Sequence, residues 1–223
     1  MIFGLFIDII SKKEGYYMSI DAYAEAWAHL KGQKINRLLG FGQFGKAYLA
    51  DNGRVYKITR DDCEALASAI LKENPNDLFV EIYDVKKTGG DFYIIEQEFT
   101  EHTSEADALF WEMMSASDRI GSEGICEMLI DHASEMECIL DKDSLLAAKQ
   151  LLEAREHCRS FGVIGDGIDL ASDNYSYIDK KIKLFDCRDN GLSKNEAKLS
   201  LAQRYPEVFQ VNNYDLETVC NYS

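Results

Sequence analysis

The chain has 223 residues, of which 46% are hydrophobic, and its formal net charge at pH 7 is −15. This hydrophobic content excludes a disordered chain, and the length is sufficient for one domain or two lobes with a buried core. The negative charge disfavours nucleic-acid binding, because a phosphate backbone would be repelled. It is compatible with a role in solubility or with binding of a basic protein partner.

The cysteines and the hydropathy pattern indicate a compartment. The six cysteines show no C-x-x-C pair and no zinc-site spacing, so we expect reduced thiols in a cytoplasmic protein. No apolar run approaches the roughly 18 residues that suggest a membrane helix. We therefore expect no membrane partner.

Residues 1–34 form an N-terminal extension. Within it, Ser19-Ile20-Asp21 predicts the start of a helix through Leu30, with Ser19 or Asp21 near its cap. Apolar residues recur there at helical spacing: Tyr23, Ala26, Trp27 and Leu30. We expect the extension to contribute a strand or helix that packs on the part of the chain that follows it.

The next stretch combines glycine spacing with a hairpin pattern. Gly40, Gly42 and Gly45 stand at G-x-G-x-x-G spacing, and a turn at Asp51-Asn52-Gly53 separates two short apolar runs. Asn-Gly between two such runs is a strong hairpin signal, and glycines allow backbone amides to approach a phosphate closely. The pattern predicts a strand, a glycine loop, a strand, a tight turn and a strand that ends at Lys57.

Three nucleotide-binding interpretations of the glycine loop compete with an ordinary hairpin. A dinucleotide-binding fingerprint requires a helix directly after the glycines, and a hairpin follows here. The segment from Gly40 to Lys46 fits the Walker pattern G-x-x-x-x-G-K, but Ala47 stands where a hydroxyl should bind Mg²⁺. The third interpretation is a glycine hairpin above a phosphate with a lysine on the next strand. It fits both the order of elements and the turn.

Helical and strand patterns alternate beyond Lys57. Thr59 or Asp61 caps a helix that runs to residue 72, rich in Ala and Leu. Residues 79–85 and 92–97 form a second hairpin. Residues 104–160 are helical throughout, with Trp111, Met113 and Met114 expected in the core; the predicted helices span residues 105–117, 125–140 and 144–160.

A second cluster of polar residues lies downstream of these helices. Asp169 and Asn174 are five positions apart in the pattern D-L-x-x-x-N. Residues 175–178 and 181–185 are then predicted to form two short strands around a turn at Asp179-Lys180, and Asp186 follows directly. The simpler alternative for the Asp and Asn residues is ordinary turn chemistry.

In this order, the motifs resemble those of the protein-kinase-like superfamily, over about residues 36–190. The resemblance implies an α+β, bilobal fold. Its N-terminal lobe, residues 35–99, would be an antiparallel sheet plus a helix. Residues 100–223 would form a reduced, mainly helical C-terminal lobe with a catalytic loop at 166–186. In this reduction the chain is similar to compact bacterial and bacteriophage kinase-like proteins.

The resemblance also assigns roles to residues around ATP and Mg²⁺. Asp169 would accept the proton of the acceptor hydroxyl, while Asn174 and Asp186 would bind Mg²⁺. Lys57 would hold the α- and β-phosphates beneath the glycine loop, and a helix glutamate would orient it. Glu64 is our choice for that glutamate.

Two further positions complete the nucleotide site that the resemblance implies. Glu73, near the end of the same helix, is a second candidate for the partner of Lys57. Residues 95–99, which include Glu96, would cross between the lobes, where backbone groups bind the adenine edge. The sequence leaves open whether lysine and glutamate pair.

Several positions depart from the kinase pattern. Gly167-Ile168 replaces the His-Arg of H-R-D, Cys187-Arg188 replaces the Phe-Gly of D-F-G, and no A-P-E follows. We therefore expect an ATP- and Mg²⁺-dependent Ser/Thr protein kinase-like enzyme without activation-loop control. One alternative is an inactive pseudokinase-like inhibitor or immunity protein that binds its partner through an acidic surface. Another is a small-molecule kinase of the antibiotic-phosphorylating kind.

Overall fold

A computed structural model describes residues 19–88, 91–161, 174–186 and 192–210. They form two compact units. The first contains residues 19–74, 81–88, 91–99 and 193–210, and the second contains residues 75–80, 100–161, 174–186 and 192. The predicted α+β class is confirmed, because the first unit is built on an antiparallel sheet and the second is mainly helical.

The first helix, α1 (Ile20–Leu30), begins where the sequence predicts. The hydroxyl of Ser19 accepts a hydrogen bond from the Ala22 amide at 3.2 Å and so caps the helix. The buried residues of α1 are Tyr23, Ala24 and Ala28. They pack on one face of the sheet in the same unit, against a cluster that includes Tyr48, Ile58, Phe92 and Ile94. The chain turns away from the helix at Gly32, whose φ is +67°.

The sheet of the first unit has five antiparallel strands in the order β1-β2-β3-β5-β4. Their bounds are β1 Ile35–Phe41, β2 Gly45–Ala50, β3 Arg54–Thr59, β4 Ile82–Lys87 and β5 Tyr93–Glu98. The predicted turn at Asp51-Asn52-Gly53 joins β2 to β3, and its glycine has φ of +77°. Both predicted hairpins are therefore present.

Helix α2 (Asp62–Glu73) connects β3 to β4 and is capped by Asp61, whose carboxylate accepts from the Cys63 amide at 3.0 Å. Residues 63–71 of this helix are all buried. Helix α7 (Lys194–Arg204) and the short 3₁₀ helix at Pro206–Phe209 also belong to the first unit. This segment thus belongs to the sheet unit, whereas the kinase resemblance implied a place in the C-terminal lobe for it.

The second unit contains four helices and one hairpin among its described residues. The helices are α3 Ser104–Ile120, α4 Ile125–Asp131, α5 Ala133–Ile139 and α6 Lys142–Ser160; the strands are β6 Tyr175–Ile178 and β7 Lys181–Leu184. The single helix predicted over residues 125–140 is two helices, because His132 leaves the helical region with φ −125° and ψ 34°. Residues 78–80 run beside β7, where the Leu184 amide donates to the Leu78 carbonyl at 2.8 Å.

One of the residues expected in the core lies at the surface. Met113 is fully buried, as predicted, but the Trp111 side chain is 66% exposed. The buried positions of α3 follow one helical face: Ala106, Leu109, Met113, Ala116 and Ser117. Trp111 lies off that face. In the described part of the chain, no helix is both long and apolar enough to cross a membrane.

Candidate functional site

The glycine hairpin joins β1 to β2, and its three glycines have different structural roles. The Gly42 amide donates to the Gly45 carbonyl at 2.9 Å, which closes the loop. A Cβ on Gly45 would lie 2.1 Å from the Ile58 carbonyl oxygen, so β3 requires glycine there. A Cβ on Gly40 or Gly42 would meet none of the described atoms within 4 Å, and neither glycine has a left-handed φ. The described fold therefore does not require glycine at these two positions.

Lys57 of β3 and Glu64 of α2 form an ion pair. The Lys57 side chain is 17% exposed and the Glu64 side chain 9%, so both charges are largely withdrawn from water. Glu73, the other candidate, is exposed near the end of α2. A desolvated ion pair is weak evidence for stability, because the lost hydration offsets much of the attraction. A contribution to stability therefore does not by itself explain why the pair is present.

The start of α2 is anchored at two points, and this anchoring positions Glu64. Asp61 caps the helix and is itself 1% exposed. The Tyr93 hydroxyl of β5 donates to the Asp62 carboxylate at 2.6 Å. Because Glu64 lies in the first turn of α2, these contacts hold its carboxylate on the side of the sheet that carries Lys57. Sequence inspection did not single out Tyr93 or Asp62.

Lys46, the lysine of the Walker-like pattern, is engaged by the N-terminal helix. Its ammonium donates to both carboxylate oxygens of Asp21, at 2.8 and 3.0 Å. The Tyr48 hydroxyl donates to the same carboxylate. These hydrogen bonds, from Lys46 and then from Tyr48, lower the pKa of Asp21. Because β2 follows the glycines instead of a helix, the Walker and dinucleotide-binding interpretations are wrong.

Glu96 lies in the middle of β5, where it pairs with Tyr56 of β3, while Lys57 pairs with Ile95. Neighbouring residues of a strand point to opposite faces, so the Glu96 carboxylate faces away from Lys57. It accepts from Arg54 Nη1 at 2.5 Å and lies 3.6 Å from Lys31 Nζ. The hydrogen bond to Glu96 raises the pKa of Arg54. The sequence analysis predicted that backbone groups of residues 95–99 bind the adenine edge, and this contact stays a prediction.

In the second unit, the β6–β7 hairpin brings two predicted metal ligands to the same end. The two strands meet at a turn in which Asp179 and Lys180 have φ of +51° and +64°. At the other end, the Phe185 amide donates to the Asn174 carbonyl at 3.0 Å. Asn174 and Asp186 therefore flank the open end of one hairpin.

Helix α6 fixes this hairpin through a residue that the sequence analysis did not single out. The Gln150 side chain donates from Nε2 to the Lys180 carbonyl at 3.0 Å and accepts from the Ile182 amide at 2.8 Å. The Lys180 ammonium also donates to Asp143 at 2.7 Å. No sequence signal distinguishes Gln150 from the other polar residues of this helix.

The predicted catalytic base, Asp169, lies outside the described residues. Within the described ranges, no group of three or more His, Cys, Asp or Glu side chains could hold a metal ion. A site built on Asn174 and Asp186 would supply one amide oxygen and carboxylate oxygens, ligands of the kind that Mg²⁺ takes together with water and phosphate oxygens.

The antiparallel sheet with its helix and the mainly helical unit are the two parts that the kinase resemblance predicted for an α+β fold. A five-stranded antiparallel sheet carries a lysine on β3 that pairs with a glutamate on the next helix, and a helical unit carries the Asn-hairpin-Asp motif.

Comparison with known proteins finds similarity at the level of solved structures. No protein-family model matches the chain, and no curated protein matches it. Rad53 residues 1–466 in complex with AMP-PNP aligns at 17% identity, TM-score 0.43, over 78% of this chain and 41% of that chain. The Cydia pomonella granulovirus kinase PK-1 aligns at 12% identity, TM-score 0.43, over 74% of this chain and 57% of that chain. This chain thus spans about half the length of either protein.

Proposed function

We propose that the protein is an ATP- and Mg²⁺-dependent phosphotransferase that acts on Ser or Thr hydroxyls of a protein, without activation-loop control. The observation that carries this proposal is the Lys57–Glu64 ion pair. In protein kinases, this pair holds the lysine that contacts the ATP phosphates. A lysine whose charge is partly desolvated and oriented by a carboxylate is suited to bind a polyanion.

The glycine hairpin supports the same function. Gly40 and Gly42 have no steric requirement for glycine among the described residues. A phosphate group that approaches the backbone closely is a reason for glycine at both positions, since a side chain would hold it away. Gly45 supports the sheet instead. Under this proposal, Gly40 and Gly42 line the phosphates and Lys57 neutralises their charge.

Asn174 and Asp186 would hold Mg²⁺ through their side-chain oxygens, the hard ligands that this ion prefers. When bound, Mg²⁺ neutralises negative charge on the transferring phosphoryl group. Asp169 would orient the acceptor hydroxyl and take its proton. We assign Glu96 no side-chain role, because its carboxylate is held by Arg54 on the other face of the sheet.

The charge and the cysteines suggest the setting. A chain with net charge −15 favours a basic protein as acceptor or partner. The six cysteines of the sequence show no C-x-x-C pair and no zinc-site spacing, a pattern typical of reduced thiols in a reducing compartment. We propose a cytoplasmic location on this basis.

The proposal is tested by nucleotide binding to the wild type and to two lysine variants. A thermal shift with AMP-PNP and Mg²⁺ at 100 times the Kd corresponds to about 2.7 kcal/mol of stabilisation. We expect the wild type and Lys46→Met to show this shift and Lys57→Met to lose it. Lys46 is the matched control, because it lies in the same hairpin and is paired with Asp21. Loss of the shift in Lys46→Met but not in Lys57→Met would contradict the proposal.

Transfer of labelled γ-phosphate then separates the classes of function. Label on the protein itself or on a basic protein acceptor would support a protein kinase. Turnover only with aminoglycoside-like acceptors would indicate a small-molecule kinase. Nucleotide-independent binding of a protein partner, with no label transferred, would indicate a pseudokinase-like inhibitor or immunity protein.

A further inference from the structure

Helix α2, which carries Glu64, is buried on more than one side. A helix that packs on a sheet alone buries one face and exposes the other. In α2, however, every residue from 63 to 71 is buried. The helix must therefore be covered by a second layer in addition to the sheet.

Helix α7 and the 3₁₀ helix after it provide this layer within the first unit. α7 packs against α2, and the 3₁₀ helix packs against β4. The buried residues recur along one side of the segment: Ala197, Leu201, Tyr205 and Val208. Each is at most 2% exposed, whereas Leu199 on the same helix is 58% exposed. The covering face is thus distinct from the solvent face.

The covering segment begins with an internal helix cap, and a polar contact holds its end against the sheet. At its start, the Ser193 hydroxyl and the Glu196 carboxylate form a reciprocal cap. At its end, the Lys86 ammonium donates to the Glu207 carbonyl at 2.9 Å. Burial raises the pKa of the Tyr205 hydroxyl, and Glu73 at the end of α2 raises it further. The segment is therefore anchored to the sheet as well as to α2.

We propose that packing of α7 against α2 fixes the position of α2 and so holds Glu64 against Lys57, with Leu201 as the principal positioning residue. This inference rests on the proposed function for its catalytic consequence. Because α7 is part of the same chain, the ion pair forms without a phosphorylated segment or a second protein. This fits the absence of an arginine before Asp169, where Gly167-Ile168 stands.

The test compares Leu201→Ala with Leu199→Ala, the same substitution on the two sides of one helix. Amide hydrogen exchange in residues 63–71, measured without nucleotide, reports directly how well packing of α7 stabilises α2. We expect exchange there to be at least about tenfold faster in Leu201→Ala than in the wild type, and unchanged in Leu199→Ala. Exchange in α1, which packs elsewhere on the sheet, should not rise with it. Leu201→Met, which conserves volume, should restore protection.

Coupling to Glu64 distinguishes a positioning role from a purely structural one. Leu201→Ala should weaken binding of AMP-PNP with Mg²⁺ about tenfold in the wild-type background and by less than about twofold in the Glu64→Gln background. Equal losses in both backgrounds would overturn the proposal, as would an equal rise of exchange in α1 and α2. If Leu201→Ala fails to fold, Leu201→Val replaces it in the same comparisons.

The two proposals fail separately. Failure of the wild type to bind nucleotide would refute the proposed function. Hydrogen exchange in α2 would still test whether packing of α7 fixes the position of that helix. Unchanged α2 exchange in Leu201→Ala, together with normal nucleotide binding, would leave the proposed function intact and refute the proposal that α7 positions α2.

Discussion

The amide of Phe185 donates a hydrogen bond of 3.0 Å to the carbonyl of Asn174, across the open end of the β6–β7 hairpin. Asp186 is the next residue after this contact, so the two predicted metal ligands are brought together by ordinary strand pairing. The same hairpin is tied to α6 through Gln150. Rigid support of this kind is what a metal site needs, because ligand positions must be set before the ion binds.

We predict that Asp186→Asn abolishes the Mg²⁺-dependent part of nucleotide stabilisation. At 100 times the wild-type Kd, stabilisation should fall from about 2.7 kcal/mol to less than about 0.5 kcal/mol, because the charged ligand is lost. Thermal shifts with AMP-PNP, with and without Mg²⁺, measure this. Asp77→Asn is the control: it removes an exposed carboxylate of the same unit, paired with Lys181 at 2.9 Å. A full shift in Asp186→Asn would refute the assignment.

Glu64→Gln should weaken nucleotide binding, whereas Glu73→Gln should not. The Glu64→Gln change would keep the shape of the side chain but leave the Lys57 ammonium without its carboxylate, in a site where both groups are mostly buried. We expect the affinity for AMP-PNP to fall by about 1–3 kcal/mol, that is, roughly 5- to 150-fold. Isothermal titration calorimetry on the two variants measures the difference. Equal affinities would show that Lys57 does not act through Glu64.

The three hairpin glycines should separate into structural and ligand-related positions. Gly45→Ala should destabilise the protein by more than about 3 kcal/mol, because its Cβ would lie 2.1 Å from the Ile58 carbonyl oxygen. Gly42→Ala should change the free energy of unfolding by less than about 1 kcal/mol, since its Cβ would enter open space. Urea denaturation gives both values.

The same Gly42→Ala variant should nevertheless bind nucleotide more weakly, by about tenfold, because the methyl group would separate the backbone from a phosphate. Gly53→Ala is an unsuitable control, as Gly53 has a positive φ. Unchanged nucleotide affinity in a stable Gly42→Ala protein would indicate an ordinary hairpin.

The protein should lose stability at alkaline pH through its buried tyrosines. Burial is the main cause that raises the pKa of Tyr48, Tyr93 and Tyr175, and hydrogen bonding to Asp62 adds to it for Tyr93. In the unfolded chain these groups titrate near pH 10. Because the pKa is raised in the folded state, the contribution of each tyrosine to the free energy of unfolding is complete below about pH 10. It is lost as the pH rises towards the folded-state pKa.

Each such tyrosine should lower the free energy of unfolding by up to about 1.4 kcal/mol per pH unit above about pH 10. Urea denaturation of the wild type and Tyr93→Phe, at about pH 8 and about pH 11, measures this. The variant should be less stable at the lower pH, because the bond to Asp62 is lost. It should also lose less stability between the two values. Parallel losses would show that Tyr93 ionises alike in both states.

Local signals in the sequence predicted much of the fold. The cap at Ser19, the cap at Asp61 and the Asp51-Asn52-Gly53 turn all appear where their chemistry indicated. Each depends on atoms only a few residues apart, so neighbouring residue types are sufficient to specify it. The succession of strands along the chain up to Lys57 followed from the glycine loop and the hairpin signal.

Contacts between distant segments could not be predicted in the same way. The actual pairing of Lys57 with Glu64, the engagement of Lys46 by Asp21 and the exposure of Trp111 all depend on which faces pack together. Several helix registers bury similar amounts of apolar surface, so periodicity alone does not select among them.

The sequence by itself determined the α+β class, the hairpins, the starts of α1 and α2 and the residue types that phosphoryl transfer needs. Only the tertiary structure decided that Lys57 meets Glu64, that Glu96 faces away, and that α7 covers α2. The physical reason is the separation along the chain between the residues that make contact. Caps and turns are stabilised by bonds between near neighbours, whereas a buried ion pair and a two-sided helix exist only after the strands and helices have packed.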